Sequence, residues 1–323
     1  MLDTPILVLV DLAEGSEPTA ASAELLTTAR SLTSGGVTAL ALAPVTDPTA
    51  LAAFGATRLL VAELGEPACL AGLAADAVVA AVRETGPAAV LVTSDYRGKE
   101  IAGRAAVLLG SACVSDVADI KAVDDSLHAS KLVLSGSWDT TLTVSATNSV
   151  PVLAVRPGSV EPTACLDAAS LSAEPLAFEP TAEAAAVRLI SREISQAAGP
   201  ELASARTVVV MGRGTDGDLE LVRSIAEPLG AAIGATRVAC DEGWIDRSAQ
   251  VGQTGASISP RLYLSLGVSG AVHHTSGIQG AGTIVAIDAD SEAPIFELAD
   301  FGVVGDVAEV VPQLVAELER LRS

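Results

Sequence analysis

The residues with the clearest capacity for chemistry lie in the last third of the chain, where polar side chains stand beside glycines at the ends of apolar runs. Gly212-Arg213-Gly214 follows the run Thr207 to Met211 and precedes a helical pattern. Gln253-Thr254-Gly255 offers an amide, a hydroxyl and a flexible backbone, and Ser269-Gly270-Ala271 is typical of a helix start. Because glycines let a backbone approach a ligand closely and a helix N-terminus attracts negative charge, this pattern predicts a site for a phosphate-bearing ligand.

The string Gly212 to Gly217 fits the pattern GxGxxG of dinucleotide-binding turns. That fingerprint also requires an acidic residue about 20 residues further on, which binds a ribose. The next predicted strand carries Thr236 and Arg237 instead. On this motif alone, an ordinary turn between a strand and a helix is favoured over a nicotinamide site.

Arg237 and two adjacent histidines are further candidates for ligand binding. Arg237 lies towards the carboxyl end of a predicted strand, where open α/β sheets bind ligands. The competing interpretation of Arg237 is a surface ion pair with Asp241 or Glu242. His273 and His274 project roughly 100° apart on a helix, so they would not easily share one metal ion. We expect one histidine in a ligand pocket, the other solvated or packed, and no metal site.

Other catalytic arrangements are missing from the sequence. It contains no GxSxG nucleophile elbow, no P-loop and no HExxH motif, so nothing indicates a hydrolase. The four cysteines lie far apart without a CxxC spacing, which favours buried reduced thiols over a zinc or iron–sulfur site.

Composition excludes several classes of protein. The 323 residues carry a formal charge of −21, whereas nucleic-acid binding requires a basic footprint. Half of the residues are apolar and few are aromatic, which predicts an aliphatic core. No apolar run approaches the ~20 residues of a membrane helix, and the N-terminus lacks the basic flank of a signal peptide. We therefore expect a cytoplasmic protein with no membrane insertion and no nucleic-acid partner.

Strand and helix patterns alternate along the first part of the chain, which predicts an α/β fold with a mainly parallel sheet flanked by helices. The predicted strands there are Ile6–Val10, Val37–Ala43, Arg58–Val61 and Ala88–Thr93, and the predicted helices are Ser22–Leu32, Pro67–Arg83 and Gly98–Leu109. Antiparallel or mixed strands are predicted next, at Val117–Val123, Leu127–Leu134, Thr141–Ala146 and Val152–Val155, with a turn at Asp124-Asp125-Ser126. Glu174–Glu179 is predicted as an isolated strand and Thr181–Ser195 as a helix.

Ala198-Gly199-Pro200 is a natural boundary, so we predict two domains, residues 1–198 and 199–323. The second is expected to be another α/β unit with a mainly parallel sheet. Its predicted strands are Thr207–Met211, Gly234–Val238, Leu262–Leu266 and Thr283–Ile287, and its predicted helices are Asp218–Glu227, Gly270–Gly277 and Val307–Leu321. Asp306 is placed to cap the last helix.

Taken together, these motifs resemble the α subunit of electron transfer flavoproteins, the family that includes the FixB proteins. The resemblance covers nearly all of the second domain, in order and with family-like spacing, and is weaker over residues 1–200. In the second domain it is carried by Gly212–Gly214, Leu229–Arg237, Gln250–Gly255, Gly267–Ala271, His274, Ala293–Phe296, Asp300, Gly302 and Asp306. In the first domain it is carried by Gly98-Lys99, Arg104–Ala106 and Ser115–Val117.

The resemblance implies a Rossmann-like C-terminal domain that holds one FAD per heterodimer, and a β-subunit partner that commonly carries AMP. It implies an electron carrier rather than a catalyst in its own right. Such a heterodimer collects electrons from flavin dehydrogenases, for example the acyl-CoA dehydrogenases of fatty acid β-oxidation. It delivers them to a membrane quinone oxidoreductase.

The resemblance also implies roles for individual residues around the flavin ring. Arg237 matches the arginine over the isoalloxazine ring. Gln253 and Thr254 match the loop beside the ring, with the threonine hydroxyl placed to hydrogen-bond flavin N5. His274 matches the histidine near flavin O2.

The resemblance also implies roles for further residues. Arg213 matches an arginine near the FAD, and Thr236 keeps the hydroxyl of the usual serine. Ser269 and Gly270 match the helix start near the ribityl-phosphate chain, and Asp306 matches an aspartate at the adenosine end. The cofactor-binding motifs also include Gln250, Val251, Gly252, Gly267, Ala271 and Asp288.

Three departures from the family pattern leave questions open. Asp288 stands where asparagine is usual, His273 where glutamine is usual, and Leu134-Ser135-Gly136-Ser137 where many members have a Gly-Asn pair. Two alternatives to the leading interpretation remain. One is a subunit of a bifurcating flavoprotein linked to NADH, and the other is a nucleotide-binding regulatory module without redox activity.

Overall fold

The structure of the chain, a computed structural model, describes residues 1–13, 17–134, 138–145, 149–165, 168, 170–191 and 200–322. Its internal contacts divide it into two units. The first unit comprises residues 1–133 and 138–194, and the second comprises residues 134–137 and 195–323. Of the predicted domain junction, Ala198 and Gly199 lie outside the described residues, as do Ser135, Gly136 and Ser137 of the departure noted above.

The first unit is built on a seven-stranded parallel sheet in the order β10-β3-β2-β1-β4-β9-β5. Its strands are β1 (Ile6–Val10), β2 (Val37–Ala41), β3 (Arg58–Val61), β4 (Ala89–Thr93), β5 (Cys113–Val117), β9 (Val152–Val155) and β10 (Ala173–Pro175). The central strands are continuous apolar runs because helices cover both faces of a parallel sheet. Every residue of β1 and β2 is buried.

Helices pack against the sheet of this unit in two aliphatic layers, one on each face. They are α1 (Ala20–Leu32), α2 (Thr49–Ala53), α3 (Ala71–Thr85), α4 (Tyr96–Leu109) and α5 (Ala182–Ala185). Leu26 of α1 packs on one face of the sheet with Val8, while Val78 of α3 and Ile101 of α4 pack on the other. Asp95 caps α4 by accepting a hydrogen bond from the backbone N–H of Gly98.

A separate antiparallel sheet in the order β6-β7-β8 confirms the predicted change of pairing. Its strands are β6 (Asp119–Val123), β7 (Ser126–Val133) and β8 (Trp138–Ser145). The predicted turn at Asp124 and Asp125 joins the first two, and both aspartates have positive φ.

Four details of the first-unit prediction were wrong. Val152–Val155, predicted among the antiparallel or mixed strands, pairs in parallel with β4 and β5 as β9. The single strand predicted at Val117–Val123 is two strands, since the chain leaves the parallel sheet after Val117 and starts the hairpin at Asp119. The strand predicted to be isolated instead pairs with β3 at residues 173–175. The helix predicted at Thr181–Ser195 is only the short α5, and residues 192–199 lie outside the described residues.

The second unit has a five-stranded parallel sheet in the order β12-β11-β13-β14-β15. Its strands are β11 (Thr207–Met211), β12 (Ala232–Ala235), β13 (Leu262–Leu266), β14 (Thr283–Asp288) and β15 (Phe301–Val304). Its helices are α6 (Leu219–Leu229), α7 (Arg237–Asp241), α8 (Val272–Thr275) and α9 (Val307–Arg322). Both units therefore confirm the predicted α/β class.

Two departures from the second-unit prediction concern the ends of elements. The strand predicted to continue to Val238 stops at Ala235, because the hydroxyl of Thr236 accepts a hydrogen bond from the N–H of Ala239 and starts α7. The helix predicted at Gly270–Gly277 is confined to α8, since Gly270 has φ of +83° and keeps the preceding turn out of helical geometry. The edge strand β15 was not predicted at all.

The carboxyl ends of β11 to β15 lie at one edge of this sheet, as parallel pairing requires. Its two faces are packed separately, with Met211 and Ile225 in one apolar cluster and Val210 and Tyr263 in the other. Along the part of the chain that the structure describes, no helix is both long enough and apolar enough to cross a bilayer.

Candidate functional site

A pocket of about 560 Å³ lies at the carboxyl edge of the second sheet. It gathers residues that follow four different strands. The predicted residues that line it are Arg213, Thr236, Arg237, Gln250, Val251, Gly252, Gln253, Thr254, Gly267, Ser269, Ala271, His274 and Asp288. Two predicted residues, Gly270 and Asp306, are not among its lining residues.

Two N–H groups of the GxGxxG turn after β11 already donate hydrogen bonds to backbone carbonyl oxygens. The N–H of Gly212 donates to the carbonyl oxygen of Leu266 at 2.8 Å, and that of Gly214 donates to Gly267 at 3.0 Å. A Cβ at Gly212 would lie 2.1 Å from the carbonyl oxygen of Gly267. These glycines therefore let the ends of β11 and β13 touch, and their N–H groups do not point at a ligand. Arg213 extends from this turn, is exposed and lines the pocket.

Arg237 lines the pocket and also forms the ion pair that was the competing interpretation. Its Nε donates to Oδ2 of Asp241 at 3.2 Å, one turn further along α7. Asp241 accepts a second ion pair from Arg247 at 2.5 Å, and the Arg237 side chain is 69% exposed. Because one carboxylate, Asp241, pairs with two arginines, it neutralises Arg237 only in part, and a positive potential remains at the pocket.

The loop after β12 directs two polar groups into the pocket. Gln250 is only 5% exposed, and its Nε2 donates to Oγ1 of Thr254 at 2.9 Å. Since that bond uses a lone pair of the hydroxyl oxygen, the hydrogen of Thr254 is left to be donated elsewhere. Oε1 of Gln253 lies 2.6 Å from Nδ1 of His273, and the backbone N–H of Gln253 donates to the carbonyl oxygen of His273 at 2.7 Å. The loop is thus fastened to α8.

The turn between β13 and α8 presents a row of backbone donors. The N–H groups of Val268, Ser269, Gly270 and Ala271 have no hydrogen-bond acceptor among the described residues. Gly270 itself turns away from the pocket, because a Cβ there would lie 2.3 Å from the backbone nitrogen of Ile295. Its role is close backbone packing, while Ser269 and Ala271 form the pocket wall.

His274 is a buried, neutral residue of the pocket wall. Its Nδ1 lies 3.0 Å from the carbonyl oxygen of Val251, and its Nε2 lies 2.7 Å from the hydroxyl of Tyr263. A carbonyl only accepts, so Nδ1 carries the hydrogen and Nε2 accepts from tyrosine. Burial lowers the pKa of His274 to about 4, and it raises the pKa of Tyr263. Both ring nitrogens therefore contact protein atoms, which was not foreseen from the sequence.

One end of the pocket is acidic. Asp288 closes β14, and its Oδ1 accepts a hydrogen bond from the N–H of Asp290 at 2.9 Å. Asp306 acts instead as the cap of α9, where its Oδ1 accepts from the N–H of Ala308 at 2.8 Å. Gly305, beside it, donates to the carbonyl oxygen of Asp288 at 3.0 Å, so Asp306 stands behind this end of the pocket.

Six further residues line the pocket without having been assigned to it from the sequence. Gly214, Val268 and Ala293 belong to the motifs that carry the family resemblance, and His273 was one of the two candidate histidines. Val238 and Asp290 were missed. Asp290 could have been found from the polar turn that follows the predicted strand ending near Asp288. Val238 could not, because it was assigned to the end of a strand and lies in α7.

Comparison with known proteins identifies this architecture. The electron transfer flavoprotein domain matches residues 6–186, and the electron transfer flavoprotein FAD-binding domain matches residues 201–279. The chain is 39% identical to the electron transfer flavoprotein subunit alpha of Mycobacterium tuberculosis (strain ATCC 25618 / H37Rv) over 317 residues, which is 96% of each chain.

Two further relatives extend the comparison. The subunit alpha of Mycobacterium leprae is 40% identical over 243 residues, 74% of each chain. The mitochondrial subunit alpha of Arabidopsis thaliana is 36% identical over 251 residues, 75% of this chain and 68% of the relative. With the pocket described above, these matches show that the chain belongs to the electron transfer flavoprotein family as an α subunit with an FAD-binding domain.

Proposed function

We propose that this chain is the FAD-holding half of a heterodimeric electron carrier. The observation that carries the proposal is one pocket of the second unit, which brings the predicted ring-end residues Arg237, Thr254 and His274 together with Arg213 and Ser269. The ends of β11, β12 and β13 supply these groups, as ligand sites of open α/β sheets require.

The residues present fit an FAD. The pocket volume of about 560 Å³ falls within the range of roughly 300–1,000 Å³ for small-molecule and cofactor sites. The backbone N–H groups of Val268, Ser269 and Ala271, which line the pocket and have no acceptor among the described residues, and the cation of Arg213 suit a diphosphate, which needs both hydrogen bonds and positive charge. When bound, FAD would supply the one- and two-electron chemistry that protein side chains lack.

The protein groups at the ring end would bind and orient the isoalloxazine. Thr254 would donate a hydrogen bond to N5, with its hydroxyl turned by Gln250. Arg237 would place positive charge over the ring without changing its protonation state. His274 is neutral at physiological pH and would contribute shape and dipole rather than charge.

The electron route follows from the family. We infer that a β subunit carrying AMP completes the heterodimer, with one FAD per heterodimer. Electrons would enter from flavin dehydrogenases such as acyl-CoA dehydrogenases and leave to a membrane quinone oxidoreductase. In a bifurcating complex linked to NADH, the β subunit would carry a second FAD instead, so cofactor analysis of the purified pair separates these two proposals.

Co-expression with the β subunit from the same source tests the central proposal. We expect the purified pair to absorb in the blue and to hold one FAD, and the chain alone to lose it. Arg213→Glu should weaken FAD binding, whereas Arg223→Glu should not, because Arg223 lies on α6 and pairs with Glu220. A colourless pair would instead favour a nucleotide-binding module without redox activity. Tight stoichiometric FAD in the isolated chain would contradict the assembly proposal.

A further inference from the structure

The first unit contains a second topological crevice, independent of the FAD proposal. The order in which successive strands are added to its parallel sheet reverses between β1 and β4. β2 and β3 lie on one side of β1, and β9 and β5 lie on the other side of β4. Open α/β sheets bind ligands at such a reversal, beyond the carboxyl ends of the strands. Asp11 follows β1, Ser94 follows β4 and Arg156 follows β9 at this edge.

Cations are concentrated here around one carboxylate. Asp116 lies 2.7 Å from Nζ of Lys99, and its Oδ1 accepts from the hydroxyl of Ser94 at 3.1 Å. Lys131 donates from Nζ to the carbonyl oxygen of Ser115 at 2.6 Å and acts electrostatically on Asp116. Two of the three lysines of a chain with a net charge of −21 thus meet at this point. We call Ser94, Lys99, Asp116, Lys131 and Arg156 the Arg156 cluster.

Arg156 is the least satisfied member of the cluster. The residue is 8% exposed, and its backbone N–H donates to Val117. Within the described ranges no group accepts a hydrogen bond from its guanidinium, and Asp116 influences it only through charge. Asp116 already serves Lys99 and Ser94. Its nitrogens are not sealed from solvent, so an anion can reach the guanidinium and serve as the acceptor that the protein does not supply.

The rest of the crevice restricts where an anion can bind. The carboxylate of Asp95 caps α4 and so occupies the N-terminus of that helix. Arg97 is held by Asp11 at 2.9 Å and by the carbonyl oxygen of Ala68 at 2.8 Å. Both features disfavour an anion on that side. The uncompensated positive charge lies on the β5 and β9 side, where the Lys99 side chain is 37% exposed and opens the cluster to solvent.

We propose that the Arg156 cluster binds a small phosphate-bearing anion, which accepts hydrogen bonds from the guanidinium of Arg156 and from Lys99. A planar guanidinium matches two phosphate oxygens at once. A small anion is favoured over a protein carboxylate because the little surface that Arg156 exposes can accept one phosphate group but cannot form a docking surface. The site lies in the first unit and does not involve the FAD pocket.

Calorimetric titration of the purified heterodimer with inorganic phosphate tests the site. The buffer contains Tris chloride only, and matched sodium chloride serves as the ionic-strength control. We expect saturable phosphate binding that Arg156→Gln weakens at least about tenfold, because a hydrogen-bonded charge is lost. Arg156→Lys should lose less, since it keeps the charge but not the fork. Arg58→Gln is the matched control, because Arg58 is a first-unit cation already paired with Glu84 and Glu174.

The visible absorption of the flavin verifies that each variant is folded and assembled. If Arg156→Gln fails to assemble, Lys99→Gln and Arg156→Lys provide the same comparison. Phosphate binding that is absent from the wild type, or equal in wild type and all cluster variants, would overturn the proposal. Weakened subunit association in Arg156→Gln without any phosphate effect would also overturn it and would assign Arg156 to a protein carboxylate.

Discussion

Nε2 of Gln250 lies 2.9 Å from Oγ1 of Thr254, so a buried amide fixes the direction of a hydroxyl at the pocket wall. Gln250 is 5% exposed and cannot easily turn to water. The hydroxyl can therefore donate only away from Gln250. This pair converts an ordinary threonine into a directed donor.

Removing either partner should change the flavin potential without releasing FAD. One net hydrogen bond is worth about 0.5–1.5 kcal/mol, which corresponds to about 20–60 mV for one electron. We expect Thr254→Ala to shift the first reduction potential by this amount, Gln250→Leu to shift it in the same direction by less, and Thr254→Ser to preserve it. Spectroelectrochemical titration of the heterodimers measures the shift. Identical potentials in all variants would remove Thr254 from the ring end.

Arg237 should make the flavin easier to reduce. Its side chain is 69% exposed and shares Asp241 with Arg247, so solvent and the ion pair weaken its field. An exposed pair contributes about 0.2–1 kcal/mol, or about 10–40 mV, and Arg237→Ala should lower the first reduction potential by that amount. Asp241→Asn should raise it slightly. Arg247→Ala provides the control for charge loss in the same ion-pair network, and an effect as large as that of Arg237→Ala would contradict a direct role.

Asp288 should weaken FAD binding relative to an asparagine. Its Oδ1 accepts from the N–H of Asp290, and an asparagine oxygen can do the same. Asp288→Asn should therefore preserve the turn, remove a negative charge from the pocket and tighten FAD binding. Fluorescence release of FAD on dilution measures the dissociation constant, with Asp290→Asn for comparison. A large loss of affinity would show that the carboxylate itself accepts a required hydrogen bond.

Acid should destabilise the second unit through His274. Its pKa is about 4 in the folded chain and 6.5 in the unfolded chain, so the unfolded state binds the proton first as pH falls. The contribution of His274 to the free energy of unfolding is full above pH ~6.5 and falls by about 3 kcal/mol towards pH ~4. Urea unfolding at several pH values gives the free energy of unfolding as a function of pH. We expect this free energy to fall less steeply with acid in His274→Asn than in the wild type. His128→Asn, in β7 of the first unit, is the control.

Glu24 should give the first unit the opposite pH dependence. Burial raises the pKa of its carboxyl to about 7, although the N–H of Gly158 donates to it at 2.7 Å. The stability that protonated Glu24 contributes is therefore fully present below pH ~4.5 and is lost as pH rises through 7. After allowance for solvent screening, Glu24→Gln should stabilise this unit by about 1–2 kcal/mol at pH 8 and little at pH 5. Equal effects at both pH values would contradict this assignment.

The two tryptophans allow these pH effects to be measured separately. Trp138 belongs to the first unit and Trp244 to the second, and the sequence has no other tryptophan. Trp138→Phe leaves a fluorescence signal from the second unit, and Trp244→Phe leaves one from the first. The pH dependence caused by His274 should appear only in Trp138→Phe, and the pH dependence caused by Glu24 only in Trp244→Phe.

The sequence was most informative where a single physical pattern dominated. Short apolar runs rich in β-branched residues, such as Val208 to Met211, are typical of buried strands, and the predicted parallel sheets follow from them. It was less informative where a cap competes with a strand. Thr236 is a good strand residue, yet its hydroxyl starts α7 and places Arg237 on a helix. β15 was missed because all four of its residues are exposed and it shows no alternation.

The site followed a similar division. Glycine-flanked polar motifs at strand ends predicted which residues meet, because parallel topology brings those ends together. Orientation could not be predicted in this way. The closed backbone of Gly212, the outward turn of Gly270 and the two bonds of His274 depend on contacts between distant segments. Asp306 was correctly predicted as a helix cap.

The second sheet also provides a natural frame for an optical sensor. Every pocket loop follows the carboxyl end of a strand, whereas exposed Glu227 lies at the end of α6, just before β12 begins at the opposite edge. A five-residue strand spans about 16 Å. A dye coupled to Glu227→Cys, with the exposed Cys113 replaced by serine, would sit within energy-transfer range of a bound flavin and outside its binding loops. Its brightness would follow the oxidation state of the carrier in real time.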